Sequence, residues 1–312
     1  MNNRTRKAKK HRKLKIFMFL IILLLLFVVA YCIYQYRQGL AEASDGKYKN
    51  DGETFDAFQG PEPQIGEINI LLLGSDSRGE EHARSDTLMI AHYNQNSNKL
   101  KIASIMRDTY VDIPGHGKQK INAAFAFGGP ELVRKTIKQT FDIDVNYYAV
   151  IDFEGFSKMA DIIAPDGIEV NIPYEMSYGI GMTLHPGKQI LHGKQMLGYV
   201  RFRHDKLSDF GRVERQQEVL SKLKNEALSL HSLVKLPKLI GVADPYIDTN
   251  IDKRTILSIA KGLVVGKSNK METLRIPLQN AYEDDNVDVG AVLKIDTEKN
   301  KQALHEFLST NN

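Results

Sequence analysis

Residues 16–34 (IFMFLIILLLLFVVAYCIY) are nineteen consecutive positions without a charge, and beyond them the chain changes to short apolar runs set between polar segments. At ~1.5 Å per residue a helix of that length crosses the ~30 Å hydrocarbon core of a bilayer, so the pattern predicts a transmembrane helix. A buried core helix is apolar along one stripe, whereas this run is apolar on every face. Ala41-Glu42-Ala43 has the small-x-small form of a signal cleavage site. The apolar run is nevertheless longer than the ~7–15 residues of a signal's hydrophobic region, and the small residues stand well past its end.

Residues 35–64 are polar, rich in Gly, Asp, Glu and Lys, end in Pro61-Glu62-Pro63 and show no sustained periodicity, which predicts an extended tether. The expected organisation is a tail over 1–15, an anchor helix over 16–34, the tether over 35–64 and one folded domain over 65–312, without internal repeats. In that domain the continuous apolar run 67–73, closed by Gly74, reads as a buried strand. Segments 87–93 and 100–106 flank a polar cluster and read as a hairpin. Pro130 opens a helix over 131–141; strand 146–152, helix 153–163, the turn Asp166-Gly167 and strand 168–172 follow. Further helices are predicted at 193–200, 211–228, 255–265 and 297–308, with a strand at 273–276. Strands interleaved with helices predict an α/β fold, a mixed β-sheet between helices in an α-β-α layering.

Composition alters this picture only at its edges. With 312 residues, 26% of them charged and 42% hydrophobic, the chain is ordinary globular material, and one cysteine, Cys32, excludes a disulfide framework and a Cys-based zinc site. The net charge of +4 is local: eight Lys and Arg crowd residues 1–15 without an acid, so the remainder is slightly acidic. By the positive-inside rule the cluster places the N-terminus in the cytoplasm and everything beyond the anchor outside, a single-pass cell-membrane protein. With about fifteen residues inside, a nucleic-acid partner is not expected. The nine histidines form no HExxH pair and no GxSxG elbow occurs, which removes zincin and serine-hydrolase chemistry.

Three segments place charge where burial is expected. Asp76 follows the first strand and Asp86 begins the next, so two neighbouring strands bring both carboxylates to one sheet edge. Such a pair is relieved by a hard cation, Mg²⁺ or a similar ion, completed by substrate phosphate; turn-building is the plain alternative for either Asp. Arg107 ends the third strand and precedes a Gly/Lys loop containing Lys118 and Lys120, a source of donors to an anion. In the third segment Val219, Leu220, Leu223 and Ala227 form a stripe on the predicted 211–228 helix, and the stripe runs back onto Gln216 and Arg212 in its first turn. An unpaired buried Arg is costly, so Arg212, joined by Arg201 and Arg203, is expected to hold something anionic. An internal network with Asp205 and Asp209 is the alternative.

Five ordered blocks, LLLGSDSRG at 71–79, RSDT at 84–87, MRDTYVDIPGHGKQKIN at 106–122, FGGPE at 127–131 and YVRFRHDKLSDFGRVERQQ at 199–217, resemble the LytR-CpsA-Psr family of cell-wall proteins. The wording at 234–238 (VKLPK) and 281–285 (AYEDD) is most similar to its MsrR branch, some of whose members carry regulatory names. The resemblance implies a mixed sheet between helices and binding of polyprenyl phosphates or pyrophosphates with Mg²⁺ (or Mn²⁺). It implies a phosphotransferase that moves a glycopolymer, such as wall teichoic acid, capsule or another secondary wall polymer, from an undecaprenyl-pyrophosphate carrier to a peptidoglycan sugar hydroxyl. Its implied partners are that lipid-linked glycan, peptidoglycan and membrane lipid. Carried over by motif, Asp76 and Asp86 engage the metal; Arg84, Arg107, Arg201, Arg203 and Arg212 hold the phosphates with Lys120 and Gln216 in support; Asp209 orients an Arg or serves as base. Met106 stands where many relatives have Pro, and Glu80-Glu81-His82 is an added charged stretch. The alternative function is a polyprenyl-phosphate-binding membrane regulator of cell-envelope gene expression without turnover.

Overall fold

The computed structural model describes residues 3–44, 56–64, 66–75, 85–228, 235–243, 246–266 and 271–309. Helix α1 runs unbroken over Asn3–Ser44 and contains the segment apolar enough to cross a membrane, none of whose best window is buried. The helix therefore continues ten residues into the expected tether. The segment QYRQGLAEA is made mostly of good helix formers, and extending an existing helix needs no new nucleus.

This extension is docked. Gly39 meets Gly241 of helix α6 (Leu236–Ala243) so closely that a Cβ at Gly39 would lie 2.2 Å from the Lys238 carbonyl oxygen. Lys238 Nζ and a Glu42 carboxylate oxygen are 2.6 Å apart, and Lys253 donates to the Tyr36 hydroxyl at 3.2 Å. Residues 56–64 are strapped down as well: the Phe58 and Tyr148 rings pack with centroids 4.9 Å apart, and the Gln59 amide donates to Glu131 at 2.9 Å. The tether reading is thus corrected for 35–44 and 56–64, because a few small and aromatic residues do the packing inside a polar composition.

The main sheet has six strands in the order β10 (Glu272–Ile276), β3 (Lys99–Ile105), β2 (Ser85–Asn94), β1 (Glu67–Ser75), β6 (Tyr147–Asp152) and β9 (Ile247–Thr249). β1 is antiparallel to β2 and parallel to β6, so the sheet is mixed as predicted, and β2 and β3 form the expected hairpin. One face carries Leu71, Leu73, Leu88, Ile90 and Ile105 against α2 (Ala123–Phe141) and α8 (Thr297–Ser309). Met89, Ala91 and Ile102 belong to a separate cluster with Leu220 of α5 (Ser208–Ala227). Glycine is required at 129, where φ is +58° and the chain kinks inside α2 before Pro130 restarts the helix.

Helices α3 (Phe153–Ile163), α4 (Gly193–Arg201) and α7 (Lys253–Val265) and strand β7 (Ile168–Ile172) lie where periodicity put them. A second sheet, β11 (Tyr282–Val287), β12 (Gly290–Ile295), β4 (Thr109–Ile113) and β5 (Gly117–Lys120), was not predicted, nor was β8 (Gly187–Leu191), which pairs with β7. β11 reads YEDDNV and β5 reads GKQK; neither carries an apolar run to announce it.

Candidate functional site: an arginine-rimmed apolar pocket

Parallel strands β1 and β6 end side by side, with Ser75 in register with Asp152, and the ends of such strands are where α/β sheets place ligands. Gly74 pairs with Thr87 and Ser75 with Ser85, so Asp86 is the extra residue of a β-bulge. A bulge re-aims a side chain, and here it turns the Asp86 carboxylate into the same mouth. Gly74 packs closely on Thr87, since a Cβ there would stand 3.0 Å from that of Thr87, whose hydroxyl oxygen accepts from Gln216 Nε2 at 2.9 Å.

The pocket that opens there has a cavity volume of about 150 Å³. Leu72, Met89 and Ile151 form its sheet wall, Phe156 of α3 and Val200 of α4 one side, and Val219 and Leu220 of α5 the other. The rim is polar: Asp86, Asp152, Arg201, Arg203, Arg212 and Gln216. A deep apolar slot under a cationic rim fits an amphiphile with a long hydrocarbon tail and an anionic head, since each buried CH₂ contributes ~0.8 kcal/mol and each guanidinium offers paired donors to phosphate.

Helix α5 begins at Ser208, three residues before the predicted start, so Arg212 stands in its second turn and Asp209 complements the helix dipole in the first. Arg212 is 3% exposed; its Nη2 lies 2.9 Å from Asp209 Oδ2 and its Nη1 3.8 Å from Asp86 Oδ1. Arg107 Nη1 donates to Asp86 Oδ1 at 2.6 Å, while its Nε lies 3.5 Å from Asp108 and 3.8 Å from Asp209. Lys120 pairs with Asp108 at 2.9 Å. The result is a chain from Lys120 through Asp108 and Arg107 to the two aspartates that share Arg212.

Burial pulls the Asp86 carboxyl upward, but Arg107 and Arg212 overcome it and hold the group below the usual carboxylate range. For Asp209 burial wins over the same two arginines and pushes the carboxyl up. Burial also lowers the Arg212 guanidinium, against the pull of Asp209 and Asp86. Arg107 Nε, Arg212 Nε and Asp209 Oδ1 are buried without a hydrogen-bond partner among the described residues. Unmade hydrogen bonds at a buried charged cluster are expensive, and an anionic headgroup entering the rim supplies acceptors for those donors.

The internal-network alternative holds at both aspartates it named: Arg212 pairs with Asp209, and the other half of the cluster is paired as well. Arg215 pairs with Asp205 at 2.9 Å and donates to the Phe202 carbonyl oxygen, fixing the loop after α4 that carries Arg203. Arg201 ends α4 and its guanidinium lies 4.4 Å from the Phe153 ring centroid.

Of the predicted site residues, Asp86, Arg201, Arg203, Arg212 and Gln216 line the pocket; Arg107 and Asp209 stand behind the rim, and Lys120 one pair further back. Asp76 and Arg84 lie outside the described residues. Sequence reasoning missed Asp108, Thr87, Arg215 and Asp152. The last had a usable signal, an Asp at the junction of a predicted strand and helix. As for a metal, no group of three or more His, Cys, Asp or Glu able to hold one occurs among the described residues. Mg²⁺ needs only one or two carboxylates when substrate phosphates complete its shell, and Asp86 at the rim, a hard-oxygen donor, suits that use.

The family model described as "LytR_cpsA_psr family" matches residues 31–306. The chain is 42% identical to "Regulatory protein MsrR" of Staphylococcus aureus over 282 residues, covering 90% of this chain and 85% of that one. It is 35% identical to "Polyisoprenyl-teichoic acid--peptidoglycan teichoic acid transferase TagU" of Oceanobacillus iheyensis over 216 residues, 67% of this chain and 66% of that one. Among solved structures, B. subtilis TagV superposes with a TM-score of 0.66 at 26% identity, covering 80% of this chain and all of that one.

Proposed function

Because the chain belongs to the LytR-CpsA-Psr family, we propose that it transfers a phosphate-linked wall glycopolymer from a polyprenyl-pyrophosphate carrier to a sugar hydroxyl of peptidoglycan. The observation that carries this reading is the union of an apolar slot with a rim of four arginine and aspartate partners, Arg201, Arg203, Arg212 and Asp86. The transferase name of the TagU relative supports it.

In this mechanism the polyprenyl tail occupies the slot and the pyrophosphate lies at the rim. Arg212, Arg201 and Arg203 contact its oxygens, and Arg107 is drawn forward from Asp86 and Asp108. The acceptor oxygen forms a bond to the glycan-side phosphorus, the bridging P–O bond breaks, and polyprenyl phosphate leaves with the bridging oxygen. Charge growing on that leaving group is offset by guanidinium groups already positioned before the reaction. Asp86, with Asp76, would hold Mg²⁺ or Mn²⁺, and the ion would add a further Lewis acid toward the phosphates. Asp209 holds Arg212 and faces Arg107, an orienting role.

The same proposal places the N-terminal tail in the cytoplasm and the folded domain outside, on the strength of the eight basic residues before the apolar run. A second reading is favoured by the name of the 42% relative: the same pocket serves a regulator that binds lipid phosphate without turnover. Purified full-length protein incubated with a lipid-linked glycan, Mg²⁺ and peptidoglycan separates the two. Repeated turnover is expected; saturable lipid binding with no glycan on peptidoglycan would leave only the regulator.

A further inference from the structure

Among the described residues Asp86 and Asp152 reach the rim and Asp209 stands directly behind it; arginines claim Asp86 (Arg107 at 2.6 Å) and Asp209 (Arg212 at 2.9 Å). The third, Asp152, is different. It is 6% exposed, forms the last position of β6, and caps α3 by accepting from the Gly155 amide through Oδ1. Its Oδ2 is buried and has no hydrogen-bond partner among the described residues. An N-cap needs one carboxylate oxygen, which leaves the second without a structural task, and a buried oxygen with none is costly.

Asp152 also lines two cavities. One is the apolar pocket with the arginine rim; the other is a broader groove of about 930 Å³, open to solvent, between α3 and α4. Asp152, Phe153, Leu197 and Arg201 are common to both, so the Arg201–Phe153 stack stands at their junction. The groove differs in chemistry from the slot. Glu154, Lys158, Asp161, His192 and Lys194 supply donors and acceptors along it, and Ile180 and Met182 supply apolar surface. That mixture suits a saccharide, which presents hydroxyls and amides at its edges and C–H faces between them.

We propose that this groove is the acceptor subsite, holding a polyhydroxylated, amide-bearing saccharide, and that Asp152 Oδ2 accepts the proton of the attacking hydroxyl. The inference rests on the transfer reading above and deepens it. In the step, the acceptor oxygen gains its bond to phosphorus as its proton passes to Oδ2, the bridging P–O bond breaks, and polyprenyl phosphate departs as the dianion. The proton later leaves Asp152 for water through the open groove. Burial raises the Asp152 carboxyl above its ordinary value, against the Gly155 amide that lowers it, which makes the carboxylate a better base than an exposed one. Asp209 is less suited to this task, since it is paired with Arg212 at 2.9 Å and lines neither cavity.

The test uses full-length protein in nanodiscs with a lipid-pyrophosphate glycan and a soluble peptidoglycan fragment. Asp152→Asn keeps the α3 cap, because Asn caps as well as Asp. Transfer is expected to fall ~10²–10⁴-fold, with donor affinity and unfolding midpoint unchanged. The deficit should narrow for trifluoroethanol as acceptor, whose more acidic hydroxyl needs less help. Lys194→Glu should raise the acceptor KM several-fold and leave donor affinity alone. Transfer by Asp152→Asn within a few-fold of wild type, beside an active wild type, would overturn the proton-acceptor role while leaving the transferase reading intact. An unchanged acceptor KM in Lys194→Glu would overturn the groove assignment. A wild type that transfers nothing would overturn the transferase reading and this inference together.

Discussion

Arg212→Ala separates the arginine's work for the fold from its work for a phosphate. The guanidinium is 3% exposed and makes its shortest contact with Asp209, whose other oxygen has no hydrogen-bond partner among the described residues. Removing Arg212 leaves that carboxylate buried, with Arg107 at 3.8 Å and the more distant charge of Arg203. Breaking a buried pair by deleting one partner costs ~3–5 kcal/mol. Asp209 is already pushed toward its protonated form by burial, so it can take up a proton, and the lower end, about 3 kcal/mol, applies. For a domain of this size that is a fall of roughly 6–12 °C in Tm. Arg212→Ala combined with Asp209→Ala removes the stranded carboxylate and should regain at least ~1 kcal/mol, or roughly 2–4 °C. Lipid-phosphate binding should not return with it, because neither variant restores the guanidinium. Calorimetry in detergent and binding of a short-chain polyprenyl phosphate measure the two quantities separately. A double variant no more stable than Arg212→Ala would refute the pairing argument. A double variant that binds lipid phosphate like wild type would show that Arg212 serves Asp209 alone.

Asp86→Ala should abolish glycan transfer while keeping most lipid affinity, with stability changing by ~1 kcal/mol or less because its pair with Arg107 is a third exposed. Adding Asp76→Ala should cost little more, since residues serving one ion act as a unit, and chelation of divalent metal should match the loss; transfer rates against Mg²⁺ concentration check both. Gly39→Leu should release the end of α1 from α6, because a Cβ there would meet the Lys238 carbonyl oxygen at 2.2 Å. Hydrogen exchange over residues 36–44 should accelerate by orders of magnitude in that variant, and unchanged protection would mean the docked helix end is not held by this crossing. Protease added to intact protoplasts should digest the folded domain and spare the N-terminal tail; protection of residues beyond 64 would reverse the proposed topology.

Much of the sheet and most long helices were legible because burial there enforces periodicity: 67–73, the 87–106 hairpin, 153–163 and 168–172 each carry apolar runs or stripes that match their observed elements. What stayed hidden lacks that signal. β5 and β11 are polar edge strands, each paired with the strand beside it in sequence, β4 and β12, and the α1 extension packs through the Gly39–Gly241 approach with the Lys238–Glu42 and Lys253–Tyr36 contacts beside it. At the site, Arg212 and Gln216 were readable as polar residues on an apolar stripe, and both are at the rim. The bulge that aims Asp86 was not readable, since it depends on how β1 and β2 register. Nor was the division of labour among the arginines, in which Arg212 reaches the pocket and Arg215, one turn position away, is consumed by Asp205. Asp76 and Arg84 lie outside the described residues.

The arginine rim is expected to support attack on the glycan-side phosphorus of a lipid pyrophosphate. A donor carrying ³²P at that phosphorus and ³H in the polyprenyl chain tests it directly, with full-length protein in nanodiscs and insoluble peptidoglycan as acceptor. The predicted result is ³²P bound covalently to peptidoglycan in proportion to the glycan transferred, with all ³H recovered as polyprenyl monophosphate. Recovery of ³²P with the lipid, or glycan on peptidoglycan without ³²P, would contradict it.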